Sequence, residues 1–177
     1  MLLQKDSIDM VLVPCGLVLM FGYHLFLLYR ILRLPHTTVI GYENHNKMAW
    51  VERMLQGSSV ETGLAVTVIS SNISASINLA SLSIALSSLI GTWFGSSSKL
   101  FMTEVIYGDT SLTTTSIKYV ALLVCFLAAF TSFIQSARYF VHASFLISTI
   151  DSDMPVSYVQ TAVIRGGNFC VLRTNMP

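Results

Sequence analysis

Apolar residues run along this chain in three long stretches free of Asp, Glu, Lys and Arg: Met10 to Tyr29, Thr62 to Ser98 and Tyr119 to Ala137, of 20, 37 and 19 residues. A helix needs ~20 mostly apolar residues to cross the ~30 Å hydrocarbon core of a bilayer, so each stretch is long enough to span. The pattern predicts an all-α, multi-pass membrane helical bundle with spans at about 10–30, 64–94 and 117–137, plus short interfacial helices in the polar segments.

The first span contains Pro14, Gly16 and Gly22 and ends in the aromatic and basic edge Tyr23-His24-Leu25-Phe26-Leu27-Leu28-Tyr29-Arg30, as interfaces favour. Leu34-Pro35 stops it, because proline disfavours helical geometry in the residue before it. From about 46 to 56, Met48, Val51, Met54 and Leu55 recur at helical spacing beside Trp50, while Lys47, Glu52 and Arg53 fall elsewhere. That spacing predicts an amphipathic helix, either lying in the interface or packed on the ends of the spans. Gly57 ends it, and Ser58 with Glu61 resembles a capping box opening the second span.

The second span is too long for a bilayer: its 37 residues at ~1.5 Å each reach ~55 Å. No proline or glycine lies between Leu64 and Ile90, which predicts one continuous helix that projects or tilts. Ser96 to Thr115 reads as a solvated outer connector carrying Glu104 and Asp109. The third span has no breaker after Ala137, so it is expected to extend past Arg138, Tyr139 and His142. A last helix is expected to open at Asp153 before Met154-Pro155, present Val156, Val159 and Val163 on one side, and end at Gly166-Gly167. Together the extension and this helix occupy about 138–165, and the whole chain reads as one integral membrane domain.

Composition agrees. Charged residues make up 11% and hydrophobic ones 53%, against about 25% charged in soluble domains. A net charge of +1 without a basic stripe gives no case for nucleic acid. Cys15, Cys125 and Cys170 have neither zinc-ligand nor redox-pair spacing. Asp6 and Asp9 crowd the position where a cleavable signal would be basic, and no small-residue cut site follows, so the first span is expected to be retained. Arg30, Arg33, Lys47, Arg53, Arg138, Arg165 and Arg173 fall on one side of the predicted spans and Lys5, Lys99 and Lys118 on the other. The positive-inside rule then puts the N-terminus outside and the C-terminus in the cytoplasm, with plasma membrane or endomembrane favoured.

Chemistry is sparser. Thr67, Ser71, Ser74, Asn78, Ser81, Ala85 and Ser88 repeat at steps of four and three along the second span, one stripe of small or polar side chains. Such a stripe is a helix-packing face, against the other spans or a second copy; the alternative is a polar pathway in a transporter or channel component. Serines 70, 76, 83 and 87 lie off that line. Asn72-Ile73-Ser74 matches a glycosylation sequon, but it lies within a predicted span. At the cytoplasmic ends Tyr23, His24, Arg30, Gln135, Arg138 and His142 form a polar cluster, with Gln135, Arg138 and His142 on one helical face. Lipid headgroups are the expected contact of Arg138, with Asp151, Asp153 or Glu43 as protein alternatives. His24 and His142 offer a haem-ligand pair, yet two histidines without further ligands are ordinary interface residues, and no cofactor or metal is expected. His36 and His45 sit in a polar segment and are expected to be solvated. No phosphate loop, nucleophile elbow or paired helical histidines occur. The favoured function is non-enzymatic, a lipid-embedded protein acting through helix–helix assembly as a homo-oligomer or an accessory subunit.

Tyr23 to Arg30, Pro35-His36-Thr37-Thr38-Val39-Ile40-Gly41, Met48-Ala49-Trp50-Val51 and Ser136-Ala137-Arg138-Tyr139-Phe140-Val141-His142 resemble a family of plant and bacterial membrane proteins catalogued as domain of unknown function 599. The resemblance runs from about Asp6 to Asn168. It implies a small multi-pass helical protein and supplies no activity or catalytic residue. Past Arg165-Gly166-Gly167-Asn168-Phe169 the family looks as though it continues into apolar sequence, whereas here Cys170 to Pro177 follow, similar to a truncated or alternatively ended member.

Overall fold

The computed structural model of the chain describes residues 5–96, 112–149 and 155–169. The outer connector with Glu104 and Asp109, the expected cap at Asp153 and the segment from Cys170 to Pro177 lie outside the described residues. Among the described residues five α-helices follow one another: α1 Lys5–Arg33, α2 Val39–Gln56, α3 Ser59–Ser96, α4 Leu112–Ser148 and α5 Val156–Phe169, with a 3-10 turn at Pro35–Thr37. Among the described residues there is no strand. Within α1, α3 and α4, the segments Pro14–Ile31, Ser59–Thr92 and Ser116–Ser148 are long and apolar enough to cross a membrane.

Local chemistry sets the boundaries. Leu34 N–H still reaches Arg30 O at 2.8 Å, then Pro35 breaks the helix and Thr37 returns two bonds to Leu34 O, from its N–H at 3.0 Å and its hydroxyl at 2.8 Å. Thr38 is an extended N-cap whose hydroxyl accepts from Gly41 N–H at 3.2 Å. Because this cap satisfies a first-turn donor, α2 starts at Val39, a full turn and more before the apolar periodicity that first signalled it. At α3, Ser58 N–H donates to Glu61 Oε2 at 2.8 Å, the Glu half of a capping box. Its 38 residues rise about 57 Å without a break.

The chain divides into two compact units, Met1–Leu27 with Ser83–Ala128, and Leu28–Leu82 with Ala129–Pro177. In the first unit apolar side chains face outward: Val18, Leu19 and Leu25 of α1, Leu89 of α3, and Ile117, Val120 and Val124 of α4 are all exposed. An apolar surface of this extent needs lipid or protein to cover it.

The second unit holds the core. Val51 and Met54 of α2, Ala65 and Ile69 of α3, Phe140, Ala143, Leu146 and Ile147 of α4, and Val159, Ala162 and Val163 of α5 form one buried cluster, with Trp50, Leu55, Val66 and Ile73 packed around it. α2 is therefore an amphipathic helix lying on the core, with Met48 left exposed. On α5, Val159 and Val163 are buried and Val156 is not.

Gly166 and Gly167 do not end α5, contrary to the sequence expectation; the helix runs through both to Phe169. They serve close approach. A Cβ on Gly166 would stand 3.0 Å from the Phe140 ring, and one on Gly167 would run into the Lys47 ammonium. Tyr139 stacks on Phe169 with centroids 5.3 Å apart and closes this end of the unit.

Gly166→Val is expected to destabilise the fold by about 1–3 kcal/mol by overpacking, read as a lower thermal midpoint in detergent. Gly63→Ala is the converse case. Nothing lies within 4 Å of the added methyl, and replacing this glycine in the second turn of α3 should stabilise by about 0.5–1 kcal/mol.

Candidate functional site

Three helices of the second unit meet through hydroxyls. Ser136 Oγ lies 2.6 Å from Gly166 O and 3.2 Å from Ser76 Oγ, and Ser76 and Ser136 are 2% and 0% exposed. The Gly166 carbonyl only accepts, so Ser136 donates to it and Ser76 donates to Ser136. A serine of α4 thus ties the Gly166 backbone of α5 to α4, and a serine of α3 orients that serine.

Above this relay opens a cleft of ≈ 480 Å³ framed by α2, α3, α4 and α5. Its apolar wall includes Val68, Leu79, Phe140 and Val163; its polar members are Glu43, Lys47, Asn72, Ser76 and Asn168, with Trp50 beside them. Lys47 Nζ pairs with Glu43 Oε1 at 2.8 Å, one helical turn away, and the Lys47 side chain is only 25% exposed. Its ammonium end lies over the bare backbone of Gly167. Gln160 Nε2 donates to Met48 O at 3.0 Å and holds α5 against this face of α2. Asn72 Nδ2 donates to Val68 O at 3.0 Å, leaving its oxygen available. Asn168 is 8% exposed and lines the cleft. Asn44, also 8% exposed, has a buried Oδ1 with no hydrogen-bond partner among the described residues.

The residues singled out by the sequence fall elsewhere. Thr67, Ser71, Ser74, Asn78, Ser81, Ala85 and Ser88 are all exposed, while α3 buries Thr62, Ala65, Ile69, Ser76, Ala80 and Ser83. Two residues along a helix are about 200° apart, so the stripe lies opposite the face that packs. Thr67 and Ser74 turn their hydroxyls back to Gly63 O and Ser70 O at 2.9 and 3.1 Å. In the first unit, the His24 and Tyr23 rings meet edge-on at 5.8 Å, and His24 Nδ1 lies 2.7 Å from Met20 O. That carbonyl needs a proton on Nδ1. In the second unit, Gln135, Arg138 and His142 are exposed along α4, and Arg138 and His142 border an otherwise apolar groove with Ile73, Ile77 and Phe145. Arg30 is half-buried near the end of α1. Glu43 is taken by Lys47, and Asp151 and Asp153 lie outside the described residues. His36 and His45 are exposed. Among the described residues no three His, Cys, Asp or Glu side chains gather as a metal site, and Cys15 and Cys125 are free thiols.

The architecture is that of a helical protein with three helices of membrane-spanning length and composition. The model of the protein family of unknown function DUF599 matches residues 11–172, and the chain belongs to that family. No curated protein and no solved structure matches it.

Two predictions follow from the buried polar groups. In a double-mutant cycle, Ser76→Ala and Ser136→Ala should each cost about 1 kcal/mol or more and should couple, since both act in one relay. Asn44→Leu should be neutral or raise the thermal midpoint, because it removes an unsatisfied buried oxygen worth about 1–3 kcal/mol in desolvation.

Proposed function

We propose that the protein is a non-enzymatic, three-span integral membrane protein that self-associates through the exposed stripe of α3. Twenty residues separate Lys118 from Arg138 on α4, a rise of about 30 Å that equals the hydrocarbon thickness. Arg138 then marks one headgroup level. Ser76, joined to Ser136 two residues before Arg138, marks the same level on α3. Arg30, Arg33, Lys47, Arg53, Arg138 and Arg165 all fall in the second unit, Lys5 and Lys118 in the first, which supports a cytoplasmic second unit and an outside N-terminus under the positive-inside rule.

With that level, Asn78, Ser81 and Ser88 lie in the hydrocarbon and Thr67 and Ser71 outside it. The residue that carries the reading is Asn78. A serine or threonine hydroxyl can satisfy its one donor on the carbonyl four residues back, as Thr67 and Ser74 do. A carboxamide has two donors and an acceptor oxygen. Exposed to lipid tails, Asn78 is satisfied best by another Asn78 across a two-fold axis, with small neighbours at Ser74, Ser81 and Ala85 letting the backbones close.

In a background with the native cysteines replaced, Ser81→Cys should crosslink to a second copy in membranes, and Ala80→Cys, on the buried face, should not. Asn78→Leu should weaken association about 3- to 30-fold, the equivalent of ~0.6–2 kcal/mol for an interhelical polar contact. Full labelling of Ser81→Cys by a lipid-soluble thiol reagent, with no crosslink, would refute the reading.

A further inference from the structure

We propose that the cleft between α2, α3 and α5 binds a zwitterionic phospholipid from the surrounding leaflet. The inference rests on the headgroup level proposed above, since Ser76, at that level, is part of the cleft wall. Its volume of ≈ 480 Å³ falls within the range of small-molecule sites.

The lining sorts into two parts that match an amphiphile. Ala75 and Leu79 of α3 are apolar and lie beside Ser76 at that level, whereas Glu43, Lys47, Asn72, Asn168 and Trp50 supply the polar and aromatic lining. Their charges are one of each sign. A phosphate suits Lys47, whose ammonium has three donors and gives one to Glu43, and the Asn168 amide, which lines the same cleft. A headgroup ammonium suits Glu43 and the face of Trp50, which attracts cations by its quadrupole. An anionic headgroup would leave Glu43 opposed, so the pair selects for zwitterions.

Two observations separate this cleft from a packing defect. Asn168 is more than nine-tenths buried and lines the cleft, and no side-chain hydrogen bond ties its amide to another described residue. Its polar atoms are therefore available to a ligand that enters the cleft. Gly167 also leaves open the one place where the Lys47 ammonium lies; any side chain there would displace it. The lysine is held largely buried, with its charge at the cleft rather than out in solvent.

The test uses the full chain carrying Trp93→Phe, so that Trp50 alone fluoresces, in nanodiscs of phosphatidylglycerol. A few mole per cent of phosphatidylethanolamine brominated near the top of its chains should quench Trp50 in excess of brominated phosphatidylglycerol at the same fraction. Gly167→Ala pushes only the flexible end of Lys47 aside and favours helix, so the protein should fold; it and Lys47→Gln should each weaken the excess quenching about tenfold in apparent affinity, the worth of a charge-assisted hydrogen bond. Equal quenching by the two lipids, or an excess that survives both substitutions, would overturn the site while leaving the headgroup level intact. Displacement of the excess by millimolar inorganic phosphate would reassign the cleft as a simple anion site and overturn the lipid. Absence of quenching by either lipid would place Trp50 away from the bilayer and overturn the level on which the proposal stands.

Discussion

Helices α3, α4 and α5 approach one another closely only because they meet in Ser76, Ser136 and Gly166. The two hydroxyls are short enough to lie between backbones, and Ser136 donates to the Gly166 carbonyl while Ser76 donates to Ser136. Replacing either hydroxyl by an apolar group would remove a buried hydrogen bond, at a cost of about 1 kcal/mol. The Phe140 ring fits against Gly166 for the same reason. With α5 fixed there, Val159, Ala162 and Val163 complete the core with α2, and Gly167 and Asn168 border the cleft. The core and the cleft are both consequences of one small-residue contact.

Much of this was legible in the chain. The three long apolar helices were announced by the distances between charges, with Asp9, Arg30, Glu61, Lys118 and Arg138 at the edges of the charge-free stretches. The length of α3 followed from the absence of breakers. The packing face of α3 was not legible, for a physical reason: the helix carries two stripes of small and polar side chains with the same period. One holds Ser74, Asn78 and Ser81; the other holds Ser76, Ala80 and Ser83. Composition cannot choose between them. The choice is made by Phe140, Ala143 and Ile147 on α4 and by α2 and α5, which are distant in sequence. Gly166-Gly167 was misread similarly. Adjacent glycines ordinarily end a helix, but the close neighbours Phe140 and Lys47 cannot be seen from local sequence. The start of α2 was missed because Thr38 caps it through a side-chain bond, a signal that hydrophobic periodicity does not contain.

Polar residues on an exposed helix face differ by what the helix itself can satisfy. Thr67, Asn72, Ser74 and Thr92 all donate to the carbonyl four residues back. For a hydroxyl that single bond answers its only donor, so a serine-rich helix is not thereby a polar surface. A carboxamide keeps a second donor and an oxygen. Of the stripe, Thr67 and Ser74 are answered in this way, whereas the Asn78 carboxamide carries more hydrogen-bonding capacity than one such bond can meet.

The two proposed contacts lie on different sides of α3. Asn72, Ser76 and Leu79 face the cleft, whereas Ser74, Asn78 and Ser81 lie about 200° away from their neighbours two residues on. A second copy docked on the stripe therefore leaves the cleft open to its ligand. The Ser76–Ser136 contact fixes the register of α3 in the second unit, because shifting the helix by one residue would turn Ser76 away from Ser136. On this reading the proposed lipid site and the proposed association face occupy separate faces of one helix, and neither has to be vacated for the other to be filled.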